Sequence, residues 1–214
     1  MTRLRFQISM SLDGFIAGPN QSTENPLGKG GMQLHEWIFG LTAWRERHGQ
    51  QGGEVNASTD VVEDSLRNVG ATVMGRNMFG GTGPWGDDPW EGWWGDDPPF
   101  HMPVFIVTHH QRDPLVKRGG TTFTFVTDGI ESALDQARTA AAGKDVALGG
   151  GANVAQQYLK AGLIDEMQIH LVPVLLGDGA RLFDNVMPTK LGLQCTRVLQ
   201  APGVVHLTYR LTES

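Results

Sequence analysis

The nine residues Val146-Ala147-Leu148-Gly149-Gly150-Gly151-Ala152-Asn153-Val154 constrain this chain more than any other stretch. An apolar run, three glycines and a helix-forming segment in succession read as a buried strand that turns directly into a helix, the repeating unit of a parallel α/β fold. The neighbouring sequence keeps the same rhythm. Residues 122–127 are a β-branched and aromatic run, a helix is expected over 130–142, and a strand over 145–148. A helix then runs through Leu159, and a strand over 166–174 stops at Gly177-Asp178-Gly179. Glycines let backbone N–H groups approach an anion, and a helix N-terminus adds unpaired donors and a favourable dipole. Phosphate binding is therefore one reading of the turn, and close packing of strand on helix is the other. Val154 stands where a dinucleotide fingerprint expects a third glycine or alanine, which disfavours a Rossmann domain. No Gly-Lys-Ser or Gly-Lys-Thr follows, which removes the phosphate-loop NTPases.

Earlier in the chain, Leu4, Phe6, Ile8 and Met10 alternate with polar residues and predict a first strand ended by Asp13-Gly14. Leu34, Trp37, Ile38, Leu41 and Trp44 recur at helical spacing and predict one helix ending near Gly49. Ser58 or Thr59 is the expected cap of a second helix closed by Gly70. Residues 71–74 and 104–107 read as buried strands, and 191–199 with 204–211 as an antiparallel hairpin turning at Pro202-Gly203. Between Gly80 and Pro103 no period is visible, yet four of the six tryptophans lie there, and Trp-Gly-Asp-Asp-Pro occurs twice, at 85–89 and 94–98. So long a loop rich in tryptophan is either a cluster packed over the sheet or a functional wall. Trp85 and Trp90 are the candidates for lining a substrate pocket.

Length and composition, with 214 residues and 40% of them hydrophobic, suit one α/β domain over 1–214 with 80–103 as an insertion. The formal charge of -6 and scattered basic residues argue against nucleic acid. Cys195 is the single cysteine, so no internal disulfide forms, and a cytoplasmic setting is expected. Polar residues interrupt the first fourteen positions, which therefore read as a strand rather than a signal peptide or a membrane span. His109 and His110 are adjacent in an extended segment and point to opposite faces, so no metal site is expected.

A second strand-to-helix turn, Val73-Met74-Gly75-Arg76-Asn77, adds a cation that could meet a terminal phosphate. Thr108, His109, His110 and Arg112 follow the next strand and could bring polar groups to the same sheet edge. Together with Ser11-Leu12-Asp13-Gly14-Phe15-Ile16-Ala17 and Leu163-Ile164-Asp165-Glu166, these segments resemble the dihydrofolate reductase-like superfamily. Within it they are most similar to the reductase domain of the riboflavin-biosynthesis deaminase-reductases.

The resemblance implies a three-layer α/β fold: a mostly parallel mixed sheet, a C-terminal antiparallel hairpin and helices on both faces. It also implies NADPH, a small C=O or C=N substrate and a homodimer. Gly75, Arg76, Asn77, Thr108 and His109 would hold the adenosine side with its 2'-phosphate. Gly149, Gly150 and Gly151, with Ala152, Asn153 and Val154 opening the helix, would hold the pyrophosphate, and Ile16-Ala17 would meet the nicotinamide. Asp13, His35 and Glu36 are the candidate proton donors, although Asp-Gly is also a plain turn dipeptide. Phe15 departs from the basic or small polar residue usual in the riboflavin reductases, and no basic cluster awaits a ribose phosphate. A non-catalytic nucleotide-binding module and a flavin or deazaflavin carrier are the alternative readings. Met167, Ile169 and Leu171 with residues 172–176 are the expected edge or face for a two-fold contact.

Overall fold

The computed structural model describes residues 2–81, 83–86, 89–186 and 191–213. Asp87 and Asp88 of the first tryptophan repeat lie outside the described residues. Nine strands form one sheet in the order β10-β11-β8-β1-β7-β3-β4-β6-β5. In chain order these are β1 (Leu4–Ser11), β3 (Val69–Gly75), β4 (Pro103–Val107), β5 (Leu115–Val116), β6 (Thr122–Val126), β7 (Asp145–Leu148), β8 (Glu166–Val172), β10 (Leu191–Ala201) and β11 (Val204–Glu213). The small β2 (Phe15–Ala17) pairs antiparallel with β9 (Ala180–Arg181) beside the end of β1. The strands from β8 through β6 run parallel, whereas β11, β10 and β5 are antiparallel to their neighbours. The sheet is thus mixed and mostly parallel, with the expected C-terminal hairpin turning at Pro202-Gly203.

Alternation along the strands sends two sets of side chains to opposite faces. Leu4, Phe6, Val73, Val146, Leu148, Met167 and Ile169 join one core cluster with α5 (Ile130–Ala140) and α6 (Ala152–Lys160). Tyr158 of α6 is fully buried, and its hydroxyl donates to the Ile130 carbonyl at 2.6 Å, tying the two helices together. On the other face, Met74, Val104, Ile106, Phe123 and Phe125 pack against Phe79 and Trp85, Trp90 and Trp94. The tryptophan segment therefore covers the sheet where a helix would otherwise lie. Each indole N–H of Trp85, Trp90 and Trp93 donates to a main-chain carbonyl, so the loop buries rings without orphaning donors. Gly80 is required here: its φ is +111°, and a Cβ would strike the Trp90 indole nitrogen at 2.5 Å.

The helical layer beside β1, β8 and β11 departs from the single helix that spacing predicts. A 3-10 turn (Gly31–His35) leads into α1 (Glu36–Phe39), and α2 (Thr42–Arg47) starts after Leu41 adopts an extended conformation. Leu41 is buried there and bridges to Glu54, so a tertiary contact overrides the helical period. The next helix, α3 (Ala57–Leu66), is capped by Asn56 rather than Ser58 or Thr59. Asn56 Oδ1 accepts from the Ser58 amide, and Thr59 returns the bond as the far half of a capping box. Gly70 lies inside β3, one residue beyond its start, instead of closing the helix.

The sheet edge expected at β8 is corrected as well. β8 lies inside the sheet between β1 and β11, and Met167 and Ile169 face the core. Leu175 remains open to solvent at 73% exposure.

Candidate functional site

The parallel strands end along one edge, and the two glycine turns meet there. Thr72 and Val73 of β3 pair with Ala147 and Leu148 of β7, which brings both chains to their turns at the same level. The Gly149 amide donates to the Val73 carbonyl at 2.7 Å, and the Gly75 amide donates to the Gly150 carbonyl at 3.1 Å. Gly75 is extended, and a Cβ on it would press Val154 of α6 at 3.2 Å. A Cβ at Gly150 would meet only the Met78 sulfur at 3.3 Å and Ile8 Cδ1 at 3.9 Å. The Gly150 N–H itself points at Met78 Sδ. Gly151 takes φ +92° and opens α6 with no side-chain cap and no acidic residue in its first turn. The amides that begin this nine-residue helix are thus available for an anion.

Arg76 opens the short α4 (Arg76–Phe79) directly after Gly75. Its guanidinium carbon lies 3.7 Å from the Trp85 ring centroid, and that of Arg112 lies 4.8 Å from the same ring and 5.1 Å from Phe125. Among the described residues no carboxylate pairs with either arginine, and Arg76 Nε and Nη1 are buried without a partner. Burial, aided by the Arg112 charge, pushes Arg76 down to about 10. Arg112 donates to the Trp90 carbonyl at 2.6 Å and feels the Glu91 charge, whereas the Arg76 guanidinium is left with buried donors that an anion could satisfy. Arg112 was legible in sequence only as one polar loop residue; its partnership with Arg76 follows from the Trp85 ring that both guanidinium groups approach. Thr108 is buried and accepts from the His110 amide at 3.2 Å, while His109 and Asn77 are exposed.

Trp85 and Trp90 belong to the aromatic cluster above β3, β4 and β6, separate from the cluster around Leu34 and Trp37.

Asp13 is likewise committed elsewhere. Its carboxylate accepts from the Ser11 hydroxyl and from the Gly177 and Leu176 amides at 2.7 and 3.2 Å, and these bonds hold it down at about 2. It fastens the first loop to residues 176–177, the turn role that Asp-Gly announces. Gly179 closes the same junction, since a Cβ there would collide with the Ala17 carbonyl oxygen.

Ile16 enters the core cluster containing Leu148 and Val154, and Ala17 lies against Gly31 of the turn that carries His35. The His35 ring is largely buried, its Nδ1 has no partner, and burial keeps its pKa below the usual histidine value. Glu36 is exposed at the start of α1. Under Trp37 stands a set of groups that no sequence motif announced. His170 and His206 are paired across β8 and β11, Ser9 lies beside His170 on β1, and Trp37 roofs the row.

Among the described residues no cluster of three or more His, Cys, Asp or Glu side chains could hold a metal, and no helix is long and apolar enough to cross a membrane.

Comparison with known proteins agrees with the fold. The uncharacterized protein YyaP of Bacillus subtilis (strain 168) is 24% identical over 214 residues, covering 97% of this chain and 94% of that protein. A Shewanella sp. PV-4 protein assigned to riboflavin biosynthesis superposes with a TM-score of 0.61 at 22% identity, over 99% of both chains. Acinetobacter baumannii RibD does so with 0.56 at 19% identity, over 99% of this chain and 58% of its own. Dihydrofolate reductase from Enterococcus faecalis, solved with NADP(H), gives 0.53 at 14% identity, over 98% and 96%. The RibD C-terminal domain family matches residues 2–207, and with nearly the whole chain accounted for, this protein belongs to that family.

Proposed function

We propose that the protein is an NADPH-dependent reductase of a small C=O or C=N compound. The observation that carries this reading is the hydrogen bond from Gly75 to Gly150 with the unpartnered Arg76 directly beside it. A single dinucleotide can lie across both turns, and the buried guanidinium asks for the phosphate that distinguishes NADPH from NADH. When bound, NADPH supplies a hydride.

The chain supplies the rest. Arg76 and Arg112, both against the Trp85 ring, hold the terminal phosphate. The amides from Gly150 into the first turn of α6 take the pyrophosphate once Met78 Sδ yields its contact with Gly150. Ile16 and Ala17 line the nicotinamide end. His35 is the remaining candidate to pass a proton to the substrate, because the Asp13 carboxylate is engaged by Ser11 and the amides of residues 176–177 and Glu36 faces solvent.

The test is a fluorescence titration with NADPH and NADH, followed by a screen of aldehydes, ketones, imines and dihydropterins for loss of reduced-nicotinamide absorbance. NADPH binding with turnover supports a reductase. Binding without turnover assigns a nucleotide-binding module, and no binding to either nucleotide rejects the proposal. A yellow purified protein would instead favour a flavin. The homodimer implied by family resemblance needs a surface other than β8, and a single 23.3 kDa species in sedimentation equilibrium at micromolar concentration rejects it.

A further inference from the structure

One residue of the tryptophan segment is tied to both arginines, by its side chain to one and by its main chain to the other. Trp90 Nε1–H donates to the Phe79 carbonyl at 2.8 Å, and the Trp90 carbonyl accepts from Arg112 Nη1 at 2.6 Å. Phe79 closes α4, the four-residue helix that Arg76 opens. The last carbonyls of a helix lack partners within it, and a single turn is not stable alone. Trp93 Nε1–H takes the Met78 carbonyl at 2.8 Å, so two indoles cap α4 together, with ring centroids 4.8 Å apart. Glu91 accepts from Lys117 Nζ, whose side chain is buried, and this ion pair pins the segment just beyond β5.

The Arg76 guanidinium is confined by the same segment. Trp85 lies against it, and Gly81 at φ +77° brings the main chain beside it, since a Cβ there would stand 3.2 Å from Nη2 and 3.4 Å from Nη1. The Trp85 N–H donates to the His110 carbonyl at 3.0 Å, in the loop that carries Arg112. The sheet alone does not hold the two cations together: Arg76 follows β3, Arg112 lies in the loop after β4, and like charges repel. Trp94, the equivalent of Trp85 in the second repeat, is employed differently. It stacks on Phe123 and meets Phe100, and neither guanidinium lies over its ring among the described residues.

We propose that Trp90 is the positioning residue for coenzyme selection: by capping α4 and holding Arg112 it fixes both guanidinium groups against one ring, where they meet the same 2'-phosphate. An arginine on an unheld turn must be ordered by its ligand, whereas one already held loses little freedom on binding. Only a nucleotide that carries the 2'-phosphate draws on that preorganisation, so it is expressed as preference for NADPH over NADH. The ligand rests on the reductase reading, while the fixing of Arg76 is testable without nucleotide.

The experiment uses the full chain with ¹⁵N-labelled arginine and tryptophan. Without nucleotide, the buried Arg76 Nε–H is expected to exchange slowly with water in the wild type and in Trp94→Phe. In Trp90→Phe, which keeps a ring and loses the donor, exchange should be about tenfold faster. Equal protection in Trp90→Phe overturns the proposal. Calorimetric titrations with NADPH and NADH read the selectivity: the affinity ratio should fall about tenfold in Trp90→Phe, through NADPH alone, and hold in Trp94→Phe. Equal weakening toward both nucleotides, or an equal fall of the ratio in Trp94→Phe, reduces Trp90 to packing and overturns the proposal. Where Trp90→Phe does not fold, the wild type decides, because a phosphate that draws on the cap must tighten it in return. Adenosine 2',5'-bisphosphate should then slow exchange of the Trp90 indole N–H and adenosine 5'-monophosphate should not; equal exchange in the two complexes overturns the proposal. A wild type that binds neither NADPH nor NADH rejects the reductase reading, and the Arg76 Nε–H exchange still decides whether Trp90 places that arginine.

Discussion

Two groups of nitrogen bases lie at different parts of the same sheet, and they handle burial in opposite ways. At the ends of β3 and β4, Arg76 and Arg112 share the Trp85 ring with no carboxylate hydrogen-bonded to either among the described residues, although the Glu91 charge reaches Arg112. Across β8 and β11, His170 and His206 share a hydrogen bond under Trp37. A guanidinium cannot discharge under ordinary conditions, so the arginine cluster remains a demand for an external anion. An imidazole can, so the histidine cluster is complete as a neutral pair and needs nothing from outside to be stable. Similar aromatic cover therefore leaves buried donors unsatisfied in one place and a self-satisfied network in the other.

The comparison breaks most visibly at Gly150. Gly150→Val should lower NADPH affinity by about a hundredfold, the loss of one or two charge-assisted contacts. Its circular dichroism and melting temperature should fall less than its affinity, because the Cβ at this position meets only the ends of the Met78 and Ile8 side chains. Equal loss of binding and folding would show that the glycines serve packing alone. Arg76→Gln should cost about tenfold or more against NADPH and little against NADH, read by parallel fluorescence titrations. Equal losses for both nucleotides would separate the arginines from the extra phosphate.

On the histidine side the expected effect is one of pH. The folded chain binds His170 and His206 protons only at about 3 and 4, whereas the unfolded chain binds them near 6.5. The unfolded state holds more protons between those values, so stability rises with pH across that window and is lost as pH falls from 6.5 toward 3. Asp13 acts lower, its contribution being present above 3.8 and lost as pH falls through about 2. Urea midpoints measured at pH 7 and 4.5 should therefore fall in the wild type and fall less when both histidines are replaced by glutamine. The smallest effect is at Trp85→Phe, which keeps a ring against the arginines but loses the N–H bond to the His110 carbonyl. About 1 kcal/mol, or 2–4 °C in a melting scan, is expected.

What could be foreseen in the sequence divides along physical lines. The strands and the glycine turns were legible because both depend on local composition: alternation or apolar runs for β1, β4 and β7, and absence of Cβ at 75 and 149–151. Misreadings came where a distant partner decided the outcome. Leu41 breaks the expected helix because its bridge to Glu54 outweighs spacing, and Asn56 caps α3 because Thr59 answers it. The candidate site was half legible for the same reason. Arg76 sits inside a recognisable turn, but its partner Arg112 lies thirty-six positions on and is recruited through Trp85. The histidine pair depends on the register between β8 and β11, which no single strand reveals. Asp13 illustrates the converse, since Asp-Gly announced a turn and the structure makes it one.

The contact between Met78 Sδ and the Gly150 amide has one further consequence. A thioether is a weak acceptor, so it can shelter the main-chain donor from water and still give way readily to an oxyanion. Oxidised to a sulfoxide, the same side chain would present a polar oxygen to that amide and become a competitor instead of a placeholder. Peroxide exposure would then blunt nucleotide uptake at this turn without touching a charged residue, and enzymatic repair of the sulfoxide would restore it.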